Sequence, residues 1–476
     1  MLIDYPVEEF ATRRPWVARL LAFLAGALTM LSFAPVGWYP LALFLVLPLL
    51  YAFYRCSPRC AAALGFCYGA GLFLTGTYWL YVSIHVFGEA PLILAIFLMI
   101  ALVIIMACYY AATGWLIARL AGGRPVSFVV IAPAAWVLFE WLRGWFLSGF
   151  PWMTLGYAQI DSPLAGYAPL LGIFGVSFML MASAGAVTML LAGSPQSRLV
   201  LAVIAVAPWL GGALLGPVEW TDVAGAPVRA TIVQGGVSQD RKWLPEQFGP
   251  TLQLYSQSLA AHEDSDLIVW PEVAIPSVLD RVEATVQVLE STAGMRGTTL
   301  LFGILERDTA GENIYNSVVA VDGSRRQVYR KRHLVPFGEY FPVPDFVRAW
   351  MRMMNLPYSD ISAGDATQPL LEMRDGNRLS VAICYEDAYA AEQHYALPDA
   401  TILINVSNDA WFGDSIAPHQ HLQIARMRAL EAGRYVDPAT NNGISPFIGP
   451  RGELIEAGPQ IEYVTMTYDV VPRTGA

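Results

Sequence analysis

Charge is what the first two hundred residues lack. From Trp16 to about Gly216 ionisable side chains are scarce, and they return at ordinary density only from about Glu219. Over the whole chain charged residues reach 14 % and hydrophobic residues 55 %, where a soluble globular protein carries roughly 25 % charged residues. Long basic runs and glycine-rich phosphate loops are absent, and the net charge is −10, which argues against a nucleic-acid partner. Cysteine is nearly absent from the polar part. Of five cysteines, Cys56, Cys60, Cys67 and Cys108 lie in or beside the apolar part, and Cys384 alone lies in the polar part. A disulfide framework there is excluded, and Cys384 is left as either a packing thiol or a nucleophile. Internal repeats and low-complexity segments are also missing. His419 and His421 have no third ligand at a standard spacing, so no metal or cofactor is expected.

Long apolar runs are what the first part has instead. A bilayer core of about 30 Å takes roughly 20 apolar residues of helix. Seven stretches qualify, at about 16–34, 38–54, 61–82, 91–118, 126–147, 167–192 and 198–216. The first is too long for a cleaved signal peptide and six more follow it. Arg13, Arg14, Arg19, Arg55, Arg59, Arg119, Arg124 and Arg198 fall on one set of alternating loops. His85, Glu89 and Arg143 fall on the other. The positive-inside rule puts the amino terminus in the cytoplasm and, after seven crossings, the polar part outside, in the periplasm of a bacterium. Residues 1–218 then form a transmembrane domain and 219–476 an outer domain. Glu140 and Arg143, three apart in a helix, are expected to pair, either functionally or at the interface with Trp136, Trp141 and Trp145 as belt residues. The aromatic, glycine-rich loop Ser148–Pro163 is a candidate lipid entrance.

From Val228 the pattern changes to short β-branched runs alternating with amphipathic stretches. Strands are expected at 228–234, 266–270, 299–305, 316–321, 327–331, 379–384, 400–406 and 464–470, and helices at 246–262, 281–294 and 418–435. This reads as one α/β domain whose strands are buried on both faces. Three motifs place reactive groups at strand ends. W-P-E carries Glu272, Y-R-K-R-H-L-V-P-F-G-E-Y-F-P carries Lys331 and Glu339, and A-I-C-Y-E carries Cys384, Tyr385 and Glu386. Residues beyond strand ends share a cleft in such sheets. A thiol, a carboxylate to take its proton and an ammonium to hold an oxyanion form a nucleophilic site. Taken singly, Glu272 reads equally well as a helix cap and Lys331 as part of a solvated basic cluster.

In that order and context, Glu272, Lys331 and Cys384 resemble the Glu–Lys–Cys set of the nitrilase superfamily. The preceding helices and the L-V-P-F-G-E-Y wording narrow the resemblance to the apolipoprotein N-acyltransferases, over nearly the whole chain. The resemblance implies an α-helical transmembrane bundle joined to an α/β nitrilase-like domain, an α-β-β-α sandwich. It makes Glu272 the general base, Lys331 the oxyanion stabiliser and Cys384 the nucleophile, with Glu339, Tyr385 and Glu386 supporting them. Trp243 and Asn316 match positions that support the site or substrate, and Trp411 and Phe412, in the S-N-D-A-W-F-G-D segment, match a mobile loop beside it. The implied reaction is a two-step transfer of an acyl chain from a membrane phospholipid, usually phosphatidylethanolamine, through a Cys384 thioester to the amino-terminal diacylglyceryl-cysteine of a lipoprotein.

The sequence departs from the family wording at Gly236, where Asn is usual, and at Pro438, where Arg is usual, so the backbone beside the site is expected to differ there. It also stops at Pro472–Ala476, where the family carries one more transmembrane helix, so either a shortened form or a lost last helix is expected. Two other readings are open. One is a membrane-tethered nitrilase-type amidase with water as acceptor. The other is a non-catalytic transporter or scaffold with an outer binding domain, for which Glu140 and Arg143 would be the mid-membrane polar groups.

Overall fold

The computed structural model describes residues 7–121, 125–192, 198–311, 313–336, 338–340 and 361–475. Arg124, Phe337 and the Phe341–Pro342 end of the second motif lie outside them. The chain divides into two units: residues up to Val218 together with Asp414–Gln423, and Glu219–Gly413 together with Ile424 onward.

The first unit is helical, and helices stand where the apolar runs place them: α1 (Val7–Arg13), α2 (Pro15–Thr29), α3 (Pro40–Arg55), α4 (Pro58–Gly76), α5 (Leu92–Ala121), α6 (Pro125–Arg143), α7 (Ala168–Leu191) and α8 (Arg198–Leu215). Among the described residues, four spans are long and apolar enough to cross a membrane: Pro15–Ser32, Leu92–Ala121, Pro163–Leu191 and Arg198–Leu215. The helix α3 is shorter, with Pro40 at its start and Pro48 inside it. The glycine-rich α4 packs against α2 and α5. A Cβ on Gly26 would lie 1.9 Å from Tyr68 O, one on Gly65 2.3 Å from Tyr110 O, and one on Gly71 2.0 Å from Phe23 O. Small residues let these backbones touch, which is how apolar helices associate where lipid removes the hydrophobic drive.

Glu140 and Arg143 do not pair with each other. Both hold the loop that follows. Glu140 Oε1 accepts Trp136 Nε1–H (3.1 Å) and Leu155 N–H (2.9 Å). Arg143 donates to Phe150 O (3.0 Å), Trp152 O and Thr154 Oγ1 (3.1 Å) and stacks on Phe73. The expectation of a pair fails because Leu155 N–H and the carbonyls at 150 and 152 need partners away from water. Residues 151–160 of the loop are buried, so that stretch is packed against the helices. Of the three tryptophans, Trp141 and Trp145 are exposed as belt residues would be, while Trp136 is buried.

The returning segment Asp414–Gln423 belongs to this helical unit. Gln420 Oε1 accepts the indole N–H of Trp79 (3.1 Å) and of Trp152 (2.8 Å), and its amide donates to Gly76 O (3.1 Å). Gln423 Oε1 accepts Ala34 N–H (3.1 Å).

In the second unit, strands β1 (Asp222–Val223), β2 (Val228–Gln234), β3 (Leu267–Val269), β4 (Ile275–Val278), β5 (Thr299–Arg307), β6 (Ile314–Val321) and β7 (Arg326–Arg330) precede the cysteine. So do β8 (Leu371–Glu372) and β9 (Arg378–Ile383). After it come β10 (Ile402–Ser407), β11 (Val436–Thr440), β12 (Pro446–Ile448), β13 (Leu454–Ala457), β14 (Val464–Val470) and β15 (Arg473–Thr474). One sheet runs β14-β2-β3-β5-β6-β7 with β4 on β5, a second runs β13-β12-β11-β10-β9-β8, and β1 pairs β15. The continuous apolar runs divide between two cores with the two-residue period of a strand. Leu267, Val269, Leu301, Val318 and Ala320 meet Val381, Ile383, Ile402, Ile404 and Val406 of the other sheet. Ile268, Leu300, Phe302, Val319 and Val321 face the opposite way, onto Tyr255 and Leu259 of α9 (Pro245–Ala261) and Val286, Leu289 and Ala293 of α10 (Glu283–Arg296). This is the α-β-β-α layering of the nitrilase-like fold.

Candidate active site

Strand direction brings the three motifs to one edge. β2, β3 and β5 are parallel, β6 is antiparallel to β5, and β7 is antiparallel to β6. β3 and β7 therefore run the same way, and the chain leaves their carboxyl ends at Trp270–Pro271–Glu272 and at Lys331. The chain leaves the parallel β9 and β10 of the second sheet at Cys384 and Asn408. Cys384 leaves its strand at φ +55. That left-handed turn is uncommon outside glycine, and such strain marks functional positions.

The acids and the amine form one buried cluster. Lys331 Nζ lies 2.8 Å from Glu339 Oε1 and 3.6 Å from Glu272 Oε1. Asn316 Nδ2 donates to Glu272 Oε1 (2.7 Å) and Glu339 Oε1 (3.0 Å). Glu339 Oε2 accepts Val335 N–H (2.8 Å), which closes its turn. Glu272 Oε2 accepts no hydrogen bond from a described residue, so one basic oxygen remains available. Burial pulls the Lys331 pKa down, but Glu339 and Glu272 outweigh it and hold the group above its ordinary value, as a firm ammonium. Cys384 is half-buried. Burial and Glu272 push its thiol well above the usual range against the pull of Lys331, and Asp409 and Glu339 add to the rise. A thiol held up in this way is a weak nucleophile unless a neighbouring base takes its proton.

Glu386 has a different task. Its carboxylate accepts Ile383 N–H (2.7 Å), Arg332 N–H (2.6 Å), His333 N–H (3.1 Å) and Tyr329 O–H (3.0 Å). It binds the turn after Lys331 to the turn at Cys384 and has no oxygen to spare for proton transfer. Burial raises its pKa, against the backbone bonds from Ile383 and Arg332. Tyr385 is half-buried and meets Tyr389 edge-on, 5.1 Å between ring centres. Asn316 is 4 % exposed and orients the acids from inside the cluster. Trp243 and Trp411 carry exposed rings, at 50 % and 40 %, and Phe412 is half-buried.

Several contributors were not among the sequence candidates. Gly303 of β5 lies under the acid's backbone, where a Cβ would meet Val273 N at 2.3 Å, Pro271 O at 2.6 Å and Glu272 Cα at 2.7 Å. A lone glycine inside T-L-L-F-G-I-L was the available signal, since glycine in a strand marks close backbone approach. Lys242 donates Nζ–H to the Glu272 carbonyl (2.9 Å). Asn405 donates to Cys384 O (3.3 Å). Asn441 bonds Val237 N–H (3.2 Å), Val237 O (2.7 Å) and Asn408 Oδ1 (2.9 Å). The two departures from family wording fit their places. Gly236 has φ +64, a conformation that asparagine also tolerates. Pro438 stands in β11 opposite Asn405, and β12 reaches β11 only at Val436.

Comparison with known proteins agrees over both units. Residues 25–186 match the apolipoprotein N-acyltransferase N-terminal domain, and residues 229–474 match the carbon-nitrogen hydrolase family. Apolipoprotein N-acyltransferase of Azotobacter vinelandii is 42 % identical over 98 % of this chain and 92 % of that one. The enzyme of Methylococcus capsulatus is 40 % identical over 96 % and 91 %. Among solved structures, a CN-hydrolase superfamily protein of Xanthomonas campestris covers 51 % of this chain and 91 % of its own, at 19 % identity and TM-score 0.39. A nitrilase-superfamily member of Saccharomyces cerevisiae covers 53 % and 93 %, at 18 % identity and TM-score 0.41. The bundle of apolar helices, the two-sheet domain and relatives that match nearly end to end lead to one statement: this chain belongs to the apolipoprotein N-acyltransferase family, membrane acyltransferases of the carbon-nitrogen hydrolase superfamily.

Proposed function

We propose that this protein N-acylates the amino-terminal diacylglyceryl-cysteine of lipoproteins, with Cys384 as nucleophile, Glu272 as general base and Lys331 as oxyanion stabiliser. The observation that carries the reading is the cluster itself: a carboxylate with one oxygen to which no described residue donates and a fixed ammonium, both within electrostatic reach of a thiol on a strained backbone.

In the first step Glu272 takes the Sγ proton and the thiolate attacks the carbonyl carbon of a phospholipid ester. Lys331 faces the negative charge that develops on the carbonyl oxygen. The ester C–O bond breaks, Glu272 returns its proton to the departing alkoxide, and a lysophospholipid leaves a Cys384 thioester. In the second step the lipoprotein amine attacks that thioester and gives its proton to Glu272. The C–S bond breaks and the thiolate takes the proton back. An ester has become an amide without ATP, because the thioester retains the acyl group's reactivity.

Phosphatidylethanolamine is the proposed donor. The proposed location is the bacterial inner membrane, with the Glu219–Ala476 part periplasmic, following the arginine distribution. Incubation with phospholipid alone should add one acyl mass to the intact protein. Hydroxylamine should remove it, a diacylated lipopeptide should take it up on chase, and Cys384→Ser should abolish it. Undiminished N-acylation of lipopeptide by Cys384→Ala would overturn the covalent route. An adduct that is lost to water and never reaches the amine would make the protein a hydrolase.

A further inference from the structure

The backbone that carries Glu272 is held in a conformation its own residues do not favour. Val273, the next residue, has φ +46, which a β-branched side chain adopts only under outside constraint. Three hydrogen bonds supply the constraint. Trp270 N–H donates to Leu301 O (2.8 Å) and Gly303 N–H to Pro271 O (3.2 Å), both from β5. The third is the bond from Lys242 Nζ to the carbonyl of Glu272 itself.

Lys242 is an unusual choice for that place. It is 3 % exposed, and lysine is almost never so buried unless paired. Among the described residues it forms no ion pair, and burial lowers its pKa to about 8 while Glu272 opposes the fall. A packing role alone would be filled better by an apolar side chain of the same length. Its own backbone lies in a tight turn, where the N–H groups of Arg241 and Lys242 both bond to Ser238 O (3.2 and 3.1 Å). The next residue in that turn is the exposed Trp243.

We infer that Lys242 is a positioning residue for acyl transfer: its bond to the Glu272 carbonyl holds the base between Asn316 and Lys331 and ties the Trp243 turn to it. The inference rests on the reading of Glu272 as the base. Lys242 acts through Glu272 and touches no reacting atom. Proton transfer depends steeply on placement, and a shift of about 1 Å can cost on the order of a hundred-fold in rate.

The test is a double-mutant cycle on the full-length protein in phosphatidylethanolamine micelles. The burst rate constant of Cys384 acylation is read by intact mass, a quantity independent of the fraction folded. Lys242→Met should slow the burst by about ten- to a hundred-fold and leave the half-saturating phospholipid concentration unchanged. In a Glu272→Gln background the same substitution should cost nothing further, because the residue it acts through is already disabled. A Lys242→Met burst at the parent rate, or a loss that adds in full to that of Glu272→Gln, overturns the inference. A Glu272→Gln protein that acylates at the parent rate overturns the base assignment instead. Should Lys242→Met not accumulate, Lys242→Gln is read by the same two criteria.

Discussion

Asn316 Nδ2 lies 2.7 Å from Glu272 Oε1 and is shared with Glu339. One neutral amide thus sets the spacing of two carboxylates, and among the described residues nothing donates to the second oxygen of Glu272. Asn316→Leu keeps the volume and removes the donor. It should slow thioester formation by about ten-fold or more, in proportion to a lost hydrogen bond to a charged group, with the melting temperature nearly unchanged. Stopped acylation followed by intact mass checks it, and a parent-like rate would show that Lys331 alone orients Glu272.

Gly303→Ala places a methyl carbon against the Pro271–Val273 backbone. Backbone cannot yield as a side-chain tip can, so the acid's loop must move. The expected result is a folded protein whose acylation rate falls by about a hundred-fold. Retained activity would mean that the loop has a second productive position.

The raised pKa of Cys384 has a definite sign. An ordinary thiol titrates near 8.5, and here the neutral form persists above that. In a background with Cys56, Cys60, Cys67 and Cys108 replaced by alanine, iodoacetamide should label Cys384 slowly at pH 7. Labelling should keep accelerating beyond pH 9. Lys331→Met removes the cation that opposes the shift and should slow labelling further at each pH. A plateau near pH 8.5 would contradict the reading.

Arg434 is fully buried and donates to four backbone carbonyls: Ala400 (2.5 Å), Ala432 (2.6 Å), Pro398 (2.9 Å) and Gly475 (2.8 Å). Arg434→Met leaves those carbonyls without their donor in the interior. The loss should be on the order of 3 kcal/mol or more, read as a lowered unfolding midpoint, with Cys384 acylation normal in the protein that remains folded.

Most of the strands that sequence reading found are buried on both faces, while β7 and β14 are largely half-buried. Val464–Val470 and Val228–Gln234 stand where they were expected, and the other six within a few residues, because short β-branched runs bounded by turns carry a strand's signal. Those it missed obey weaker rules. β11 contains Asp437 and Pro438, residues that strands disfavour, and β13 is mostly exposed, so its pattern carries no burial signal. Glu272, Lys331 and Cys384 were legible as reactive types at strand ends. Lys242 and Gly303 were not, because each acts on the backbone of Glu272 and not on substrate, and backbone proximity across strands leaves almost no trace in spacing. The pairing of Glu140 with Arg143 was inferred from helical geometry. Their actual partners come from a loop whose path the sequence does not reveal.

The position of Gln420 has a consequence in time. The run of helices in the first 218 residues ends at Leu215, yet the indole N–H groups of Trp79 and Trp152 can donate to Gln420 only once it has been made. Some two hundred residues separate the two events, which at about 5–20 residues per second is a delay of roughly ten to forty seconds during synthesis. The nascent helical unit must therefore wait, already inserted and still lacking its latch, while most of the second unit passes through the ribosome. Completion of the early part is signalled by the late part, so a chain interrupted before Gln420 carries its helices but not the contact that fastens Gly76, Trp79 and Trp152 together.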